Sequence, residues 1–353
     1  MRGCAVQTLA VQSYARWKRD LVADALQRAG LNAEVAALID AHGAGRRRAT
    51  FHARYPQGRA KTGFTQVHTH DIVEILSCPV LAASMDPALP AARALGQALA
   101  GSDKPLDILV TATASGLDVD LKGHGPLGEA ATQRLVKIAL THDLARLSNH
   151  GETVVSNRTP MLTMGKAIVA LPPGAFLQAT EMGEETLAAK VCAHTAGARH
   201  VADLFSGIGT FTLRMAEFAK VDAFDLEESA LQALAKAAGV KGLRKVTVAQ
   251  RDLFTRPLRP AELERYDAAV FDPPRAGAEQ QAKALGASQV PLIVAVSCNA
   301  ETFARDAAIL CSEGYEISKV EPIDQFRHTP HVEIVANFRR QTQKRRHVRP
   351  LLG

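Results

Sequence analysis

The chain lacks any apolar run long enough for a membrane-spanning helix, so no helical span is expected among its 353 residues. Residues 1–7 lead straight into an amphipathic stretch without the apolar core of a signal peptide, which makes a cytoplasmic location the expectation. Cysteine is sparse: five thiols, an odd number, are scattered at Cys4, Cys78, Cys192, Cys298 and Cys311 with no Cys-x-x-Cys pair. That argues against a disulfide framework. Internal repeats and low-complexity segments are also missing, which sets repeat and disordered architectures aside. Tryptophan occurs once, at Trp17, on a helical stripe where packing is a plainer role than base stacking.

What is present is an ordinary globular balance, 47% apolar and 22% charged, in a chain long enough for two domains. The formal net charge of +6 leans toward an anionic partner such as nucleic acid. Arg46-Arg47-Arg48 forms one basic cluster. A second, acid-free run goes from Arg339-Arg340 through Lys344-Arg345-Arg346 to Arg349, and either frays in water or meets phosphates.

Periodicity divides the chain. Tyr14, Trp17, Leu21, Val22, Ala25 and Leu26 recur at three and four spacings, which predicts a helix over 12–29 stopped at Gly30. A β-rich region follows, with strands expected at 48–54, 64–67, 72–76, 107–113, 117–121, 153–156, 160–164 and 166–171, interrupted by helices at 91–100 and 127–147. Pro172-Pro173-Gly174 breaks the pattern, and from about 176 strands and helices alternate. Strands are expected at 200–205, 221–225, 246–249, 267–271, 291–296, 316–321 and 332–338, and helices at 181–196, 210–219, 228–238 and 300–312. Alternation of this kind predicts an α/β domain with a mostly parallel, doubly wound sheet, preceded by a β-rich α+β domain. The boundaries expected are an amino-terminal helical segment 1–45, a central domain 46–175, the α/β domain 176–340 and a basic tail 341–353.

Candidate chemistry gathers at the carboxyl ends of the later strands, where parallel sheets place their ligands. Ala202-Asp203-Leu204-Phe205-Ser206-Gly207-Ile208-Gly209-Thr210 joins strand to helix, and Gly207 and Gly209 let a ligand approach the backbone. Thr212 stands where the dinucleotide fingerprint needs its third glycine. Asp225 ends the next strand and could accept ribose hydroxyls, and Asp252 could accept from an adenine amino group. A nucleoside site without a pyrophosphate cradle suits S-adenosylmethionine better than NAD. Asp272-Pro273-Pro274-Arg275-Ala276-Gly277 holds an acid in a rigid loop. The apolar strand 291–296 delivers Ser297-Cys298-Asn299, where Cys298 is either an inert small residue or a thiolate nucleophile.

With these residues in view, the chain resembles the RNA uracil-5 methyltransferases that use S-adenosylmethionine. The matches run in order: Phe176-Leu177-Gln178, residues 203–209, residues 272–277, Ser297-Cys298-Asn299, and a closing motif with Asp324, Phe326, His328, Thr329, His331, Val332 and Glu333. Residues 48–54 and Ser77-Cys78-Pro79-Val80-Leu81 are similar to the family's central β-rich domain. The resemblance implies a class I methyltransferase fold, with Cys298 as nucleophile and Glu333 as general base. It places Gln178, Phe205, Thr210, Asp225, Asp252 and Asp272 against S-adenosylmethionine or the target base. It also implies RNA as partner, ribosomal RNA first, and a monomeric chain that uses no membrane.

The departures are Ala300 and Arg327, where the family has or often has proline, and Thr210 in place of a frequent asparagine. No small nucleic-acid-binding barrel precedes the central domain, so more of the RNA grip is expected from Arg46–Arg48 and the tail. Relatives with an iron–sulfur cluster use four cysteines. Here Cys4 and Cys78 occupy the last two positions and Met1 stands where a Cys-x-x-Cys partner would be, which suggests a start placed too late. The alternatives to a uracil-5 enzyme for ribosomal RNA are a transfer RNA enzyme, a cytosine-5 enzyme and an RNA-binding relic. An amino-group methyltransferase is disfavoured because Arg275 replaces the aromatic its loop would need.

Overall fold

The computed structural model describes residues 4, 6–66, 69, 71–102 and 104–341. The chain opens with helix α1 (Val11–Arg28) and a short strand β1 (Ile39–Asp40). The central domain follows with β2 (Arg48–Arg54), β3 (Lys61–Thr65), β4 (Ile72–Val73), α2 (Ala88–Ala98), β5 (Leu106–Thr113), β6 (Gly116–Lys122), α3 (Glu129–Thr141), β7 (Arg146–Asn149) and β8 (Glu152–Ser156). These strands form a seven-stranded sheet, β4-β3-β2-β5-β6-β7-β8, antiparallel except where β6 meets β7. Helices α2 and α3 cover one face, and the core between holds Phe51, Leu95, Leu106, Ile108, Leu121 and Leu135. A small hairpin, β9 (Met161–Met164) and β10 (Ala167–Ala170), leads out of the domain.

The second half contains α4 (Glu181–Thr195), β11 (His200–Leu204), α5 (Thr212–Met215), β12 (Lys220–Asp225), α6 (Glu228–Ala237), β13 (Val246–Gln250), α7 (Pro260–Leu263) and β14 (Ala268–Phe271). It ends with α8 (Glu279–Gly286), β15 (Leu292–Ser297), α9 (Ala300–Ser312), β16 (Tyr315–Asp324) and β17 (Glu333–Arg340). Its eight-stranded sheet runs β1-β16-β17-β15-β14-β11-β12-β13, with β17 antiparallel to both neighbours and every other pairing parallel. The doubly wound α/β fold is as expected. Connections from β11 run outward through β12 and β13, then return to β14 and β15 on the other side. The crevice at this switch point lies between the carboxyl ends of β11 and β14.

The period of two decides which residues reach which layer. In β15, Ile293 and Ala295 face the layer containing α1, α8 and α9, whereas Val294 and Val296 face the layer containing α4 and α5. In β17, Ile334, Ala336 and Phe338 take the first face and Val335 the second.

Several sequence expectations need correction. The helix expected over 127–147 ends at Thr141, because Asp143 adopts a left-handed φ of 49° and Arg146–Asn149 pairs as β7 beside β6. The helix expected over 210–219 is α-helical only at α5, since the chain before it is occupied by the glycine turn. The strand expected over 64–67 is β3, shifted to Lys61–Thr65, and Val67 lies outside the described residues. Residues 1–45, read from sequence as a segment by themselves, place β1 at the edge of the eight-stranded sheet and α1 against α9. Parallel pairing of Ile39 with Ile323 and burial of Val22, Ala25 and Leu26 tie this segment to the α/β layer. No helix among the described residues is long and apolar enough to cross a membrane.

Candidate active site

Two strand ends bring the cysteine to the glutamate. Strand β15 pairs with β17 so that Ser297 faces Ile334. The chain leaving β15 therefore brings Cys298 next to the start of β17, close enough for the Glu333 charge to act on the thiol. Asn299 secures the cysteine from the other side. Its side chain caps α9 by accepting from the Glu301 amide at 3.0 Å, and its Nδ2 donates to the Arg275 carbonyl at 3.0 Å. Cys298 is half-buried and opens onto a pocket of about 330 Å³. Arg275, Asn299, Pro330, His331 and Val332 line that pocket, with Leu21, Asp24 and Arg28 of α1 forming the opposite wall.

Glu333 is 3% exposed. Gln325 Nε2 donates to Glu333 Oε1 at 2.9 Å and to Gln178 Oε1 at 2.6 Å, while Gln325 Oε1 accepts from the Thr180 amide at 3.2 Å. Gln178 Nε2 in turn points at Asp272 Oδ2, 3.4 Å away. A chain of two amides therefore links the acid after β14 to the acid that opens β17. Burial pushes the Glu333 carboxyl up to about 7, against the pull of the Gln325 hydrogen bond and of Arg275 and Lys18. Asp272 is raised well above the usual carboxylate range, first by burial and then by Glu333 and Asp203.

The Cys298 thiol is pushed up to about 11 by burial and by the carboxylates of Glu333 and Asp272. Arg275 is the nearby group that favours thiolate, but burial and two acids outweigh it, so the resting group is a thiol.

The glycine turn after β11 provides the ligand-facing edge. Gly207 and Gly209 have φ of 53° and 96°, and Phe205 is held at 64°. A non-glycine residue at such a φ is strained by about 1–3 kcal/mol, a pattern concentrated at functional turns. A Cβ on Gly207 would meet nothing within 4 Å, which leaves the space above its backbone open. A Cβ on Gly209 would lie 2.4 Å from Leu234 Cδ1. Gly209→Ala is accordingly expected to cost about 1–3 kcal/mol, through overpacking and strain together. A urea midpoint equal to that of the parent chain would refute this reading of the turn.

Asp225 Oδ2 accepts from the Gly207 amide at 2.8 Å and Oδ1 from the Glu227 amide at 2.9 Å, so this acid first shapes the turn. Asp252 likewise accepts from the amides of Phe254 and Thr255 and from the Thr255 hydroxyl. Thr210 is half-buried, and its carbonyl accepts from Arg214 at 2.9 Å. The Phe205 ring meets Phe254 at 5.4 Å between centroids, and Phe254 is exposed. Asp203 Oδ1 and Ser206 Oγ are buried without a protein partner. Burial and Asp225 push the Asp203 carboxyl up to about 7 although Thr212 donates to it. Unmet buried acceptors beside an open backbone cradle and an aromatic pair fit the S-adenosylmethionine expected here.

The basic cluster at 46–48, expected to share the RNA grip, is half-buried and also makes contacts within the protein. Arg47 pairs with the buried Glu184, Arg46 lies over the Phe326 ring at 5.3 Å, and Arg48 over Phe176 at 5.6 Å. The basic run beyond Gln341 lies outside the described residues. Cys4 and Cys78 are both half-buried and close enough to interact, with Arg46 beside them. No group of three or more metal-ligating side chains occurs among the described residues. Two thiols do not fit a four-cysteine iron–sulfur cluster.

Sequence reasoning missed Gln325 and Lys18. Gln325 had no signal beyond its place after Asp324. Lys18 did carry one, since a charge falls four residues after Tyr14 and four before Val22 on the buried stripe of α1.

A family model described as tRNA (uracil-5-)-methyltransferase matches residues 168–341. An uncharacterized RNA methyltransferase of Brucella suis is 46% identical over 335 residues, covering 95% of this chain and 81% of that protein. The 23S rRNA (uracil(1939)-C(5))-methyltransferase of Pseudomonas fluorescens is 32% identical over 355 residues, covering 95% and 76%. Among solved structures, the Pyrococcus abyssi tRNA (uracil-54, C5)-methyltransferase superimposes with a TM-score of 0.72 at 23% identity, over 95% of this chain and 85% of that one. That likeness shows a shared fold. On the strength of the sequence matches, the chain belongs to the RNA uracil-5 methyltransferase family.

Proposed function

We propose that this chain transfers a methyl group from S-adenosylmethionine to carbon 5 of a uridine in RNA, with Cys298 as nucleophile and Glu333 as general base. The observation that carries the reading is the β15–β17 register, which seats a pocket-lining thiol beside a buried carboxyl of raised pKa. Carbon 5 of uracil is a poor nucleophile. The Cys298 thiol gives its proton to solvent, and the thiolate adds to carbon 6 to give an enolate whose electron density lies on carbon 5. The bound cofactor supplies the electrophilic methyl group. Glu333 then takes the carbon 5 proton, and the electron pair left behind expels the cysteine sulfur from carbon 6.

Each local device has a place in this sequence of events. At neutral pH a thiol titrating at about 11 is almost wholly protonated. Addition is eased by Arg275, whose charge favours the thiolate. Glu333, poised at about 7, can both accept a proton and give it up near neutrality. The pocket encloses one base only if the target is unpaired or flipped out of its stack. Large-subunit ribosomal RNA is the favoured substrate, supported by the named activity of the Pseudomonas fluorescens relative.

The test is incubation of the chain with radiolabelled S-adenosylmethionine and unmodified ribosomal or transfer RNA, followed by nucleoside analysis. 5-Methyluridine from the ribosomal RNA is the expected product. Label in 5-methylcytidine, or in neither RNA, contradicts the reading.

A further inference from the structure

Strand alternation sends neighbouring residues of one segment to opposite layers. Gln325 turns toward Glu333, whereas Asp324 turns toward α1 and meets Lys18. Lys18 is 0% exposed, yet its ammonium has three acceptors: Asp324 Oδ1 at 2.8 Å, the Phe326 carbonyl at 3.2 Å and the His331 carbonyl. All three belong to residues 324–331, the connection that leads from β16 into Glu333. Tyr14, one turn earlier on α1, donates to Asp324 Oδ2 at 2.6 Å and accepts from the amide of His328, a residue held at a φ of 65°. At the far end of α1, Arg28 pairs with Glu301 in the first turn of α9, just after Cys298. The helix thus clasps both sides of the candidate site.

We propose that Lys18 is a positioning residue for the base at Glu333: it locks the 324–332 connection against α1 and lends that segment a buried positive charge. This rests on the assignment of Glu333 as base. A buried ammonium is costly unless every donor is met, and here three acceptors meet its three hydrogens. Placing such a group in an otherwise apolar stripe sacrifices hydrophobic burial that a leucine or methionine would supply. What it provides instead is a fixed path for the chain entering Glu333. The titratable and charged groups facing Glu333 are Asp272, Arg275, Cys298 and Lys18, and those facing Lys18 are Asp324, Arg46, Glu333, Tyr14 and His331. Lys18 therefore favours the ionised carboxyl, which is the form that abstracts a proton.

The experiment is single-turnover resolution of the covalent protein–RNA adduct, followed from pH 5.5 to 9 on unmodified ribosomal RNA, with KM and kcat measured alongside. In the parent chain the rate is expected to rise with pH and level off above about 7. In Lys18→Met the midpoint of that rise is expected to move up by roughly half to one pH unit and kcat to fall roughly tenfold, with KM little changed. Lys18→Met combined with Asp324→Asn removes the orphaned carboxylate and serves if the single variant does not fold. Tyr14→Phe loosens the same connection without removing the charge, and its midpoint is expected to stay in place. Coincident midpoints for the parent and both Lys18 variants overturn the proposal while leaving Glu333 as base. Failure of the parent chain to form an adduct overturns the base assignment itself, and the role of Lys18 with it.

Discussion

Cys298→Ala is expected to abolish methyl transfer, with a loss of at least about 10⁴-fold in kcat, while cofactor binding stays within about threefold of the parent. The size follows from the role. Without sulfur addition at carbon 6 there is no enolate, and the remaining groups only position two unreactive partners. A factor of 10⁴ corresponds to about 5.5 kcal/mol of lost transition-state stabilisation, far more than one packing contact supplies. The fold should survive, because Cys298 lies beyond the buried run of β15 and lines the pocket instead of filling the core. The glycine turn, Asp225 and Asp252 lie on other strand ends and do not depend on this side chain. Methyl transfer measured with labelled cofactor, and cofactor binding measured by calorimetry, check the two halves separately. Residual activity above about one part in a hundred points to a mechanism without a covalent cysteine adduct.

Glu333→Gln is expected to act later and to leave a visible product. Addition and methyl transfer can proceed, but the carbon 5 proton has no acceptor, so a protein–RNA adduct should persist on denaturing gels while turnover falls about 10²–10⁴-fold. The replacement is nearly isosteric, and its amide oxygen can still accept from Gln325 Nε2. The same change makes a second, thermodynamic prediction. The folded-state pKa of Glu333 is raised from 4.5 to about 7, so native chain binds this proton more tightly than unfolded chain does. The stability it confers is fully present below about pH 4.5 and is lost as pH rises through about 7. Relative to the parent, Glu333→Gln should gain stability across that window, by on the order of 3 kcal/mol, and no further above it. Denaturation curves at pH 4.5, 6 and 8 read this directly. A difference that shrinks with rising pH, or a variant that turns over without trapping RNA, counts against the base assignment.

Much of the candidate site was legible because its chemistry lies at strand ends, and strand ends are marked by where apolar runs stop. The run before Ser297-Cys298-Asn299 matched β15 to within one residue, and helix α9 was expected at the bounds it has. Gly207 and Gly209 announced a turn with positive φ, which only a residue without a Cβ adopts freely. Asp272 announced itself through the prolines that follow it. Boundaries failed where a turn had no such marker: Asp143 ends α3 in a left-handed conformation that its composition does not signal.

By itself, then, the sequence determined the α/β class and the alternation of most strands and helices in the second half, and it nominated the candidate site residues. The first two follow from local periodicity, and the third from the resemblance of the strand-end motifs to a known family. Only the tertiary structure decided the electrical state of those side chains and what holds them. The antiparallel β15–β17 register brings Cys298 beside Glu333, and burial first, then two acids, keep the resting sulfur a thiol against one arginine. The same packing turns Arg47 into a structural partner of Glu184 and places Lys18, 315 residues before Glu333 in the chain, beneath the connection that carries it. Charge and burial depend on neighbours contributed by distant segments, and those neighbours exist only once the sheet has formed.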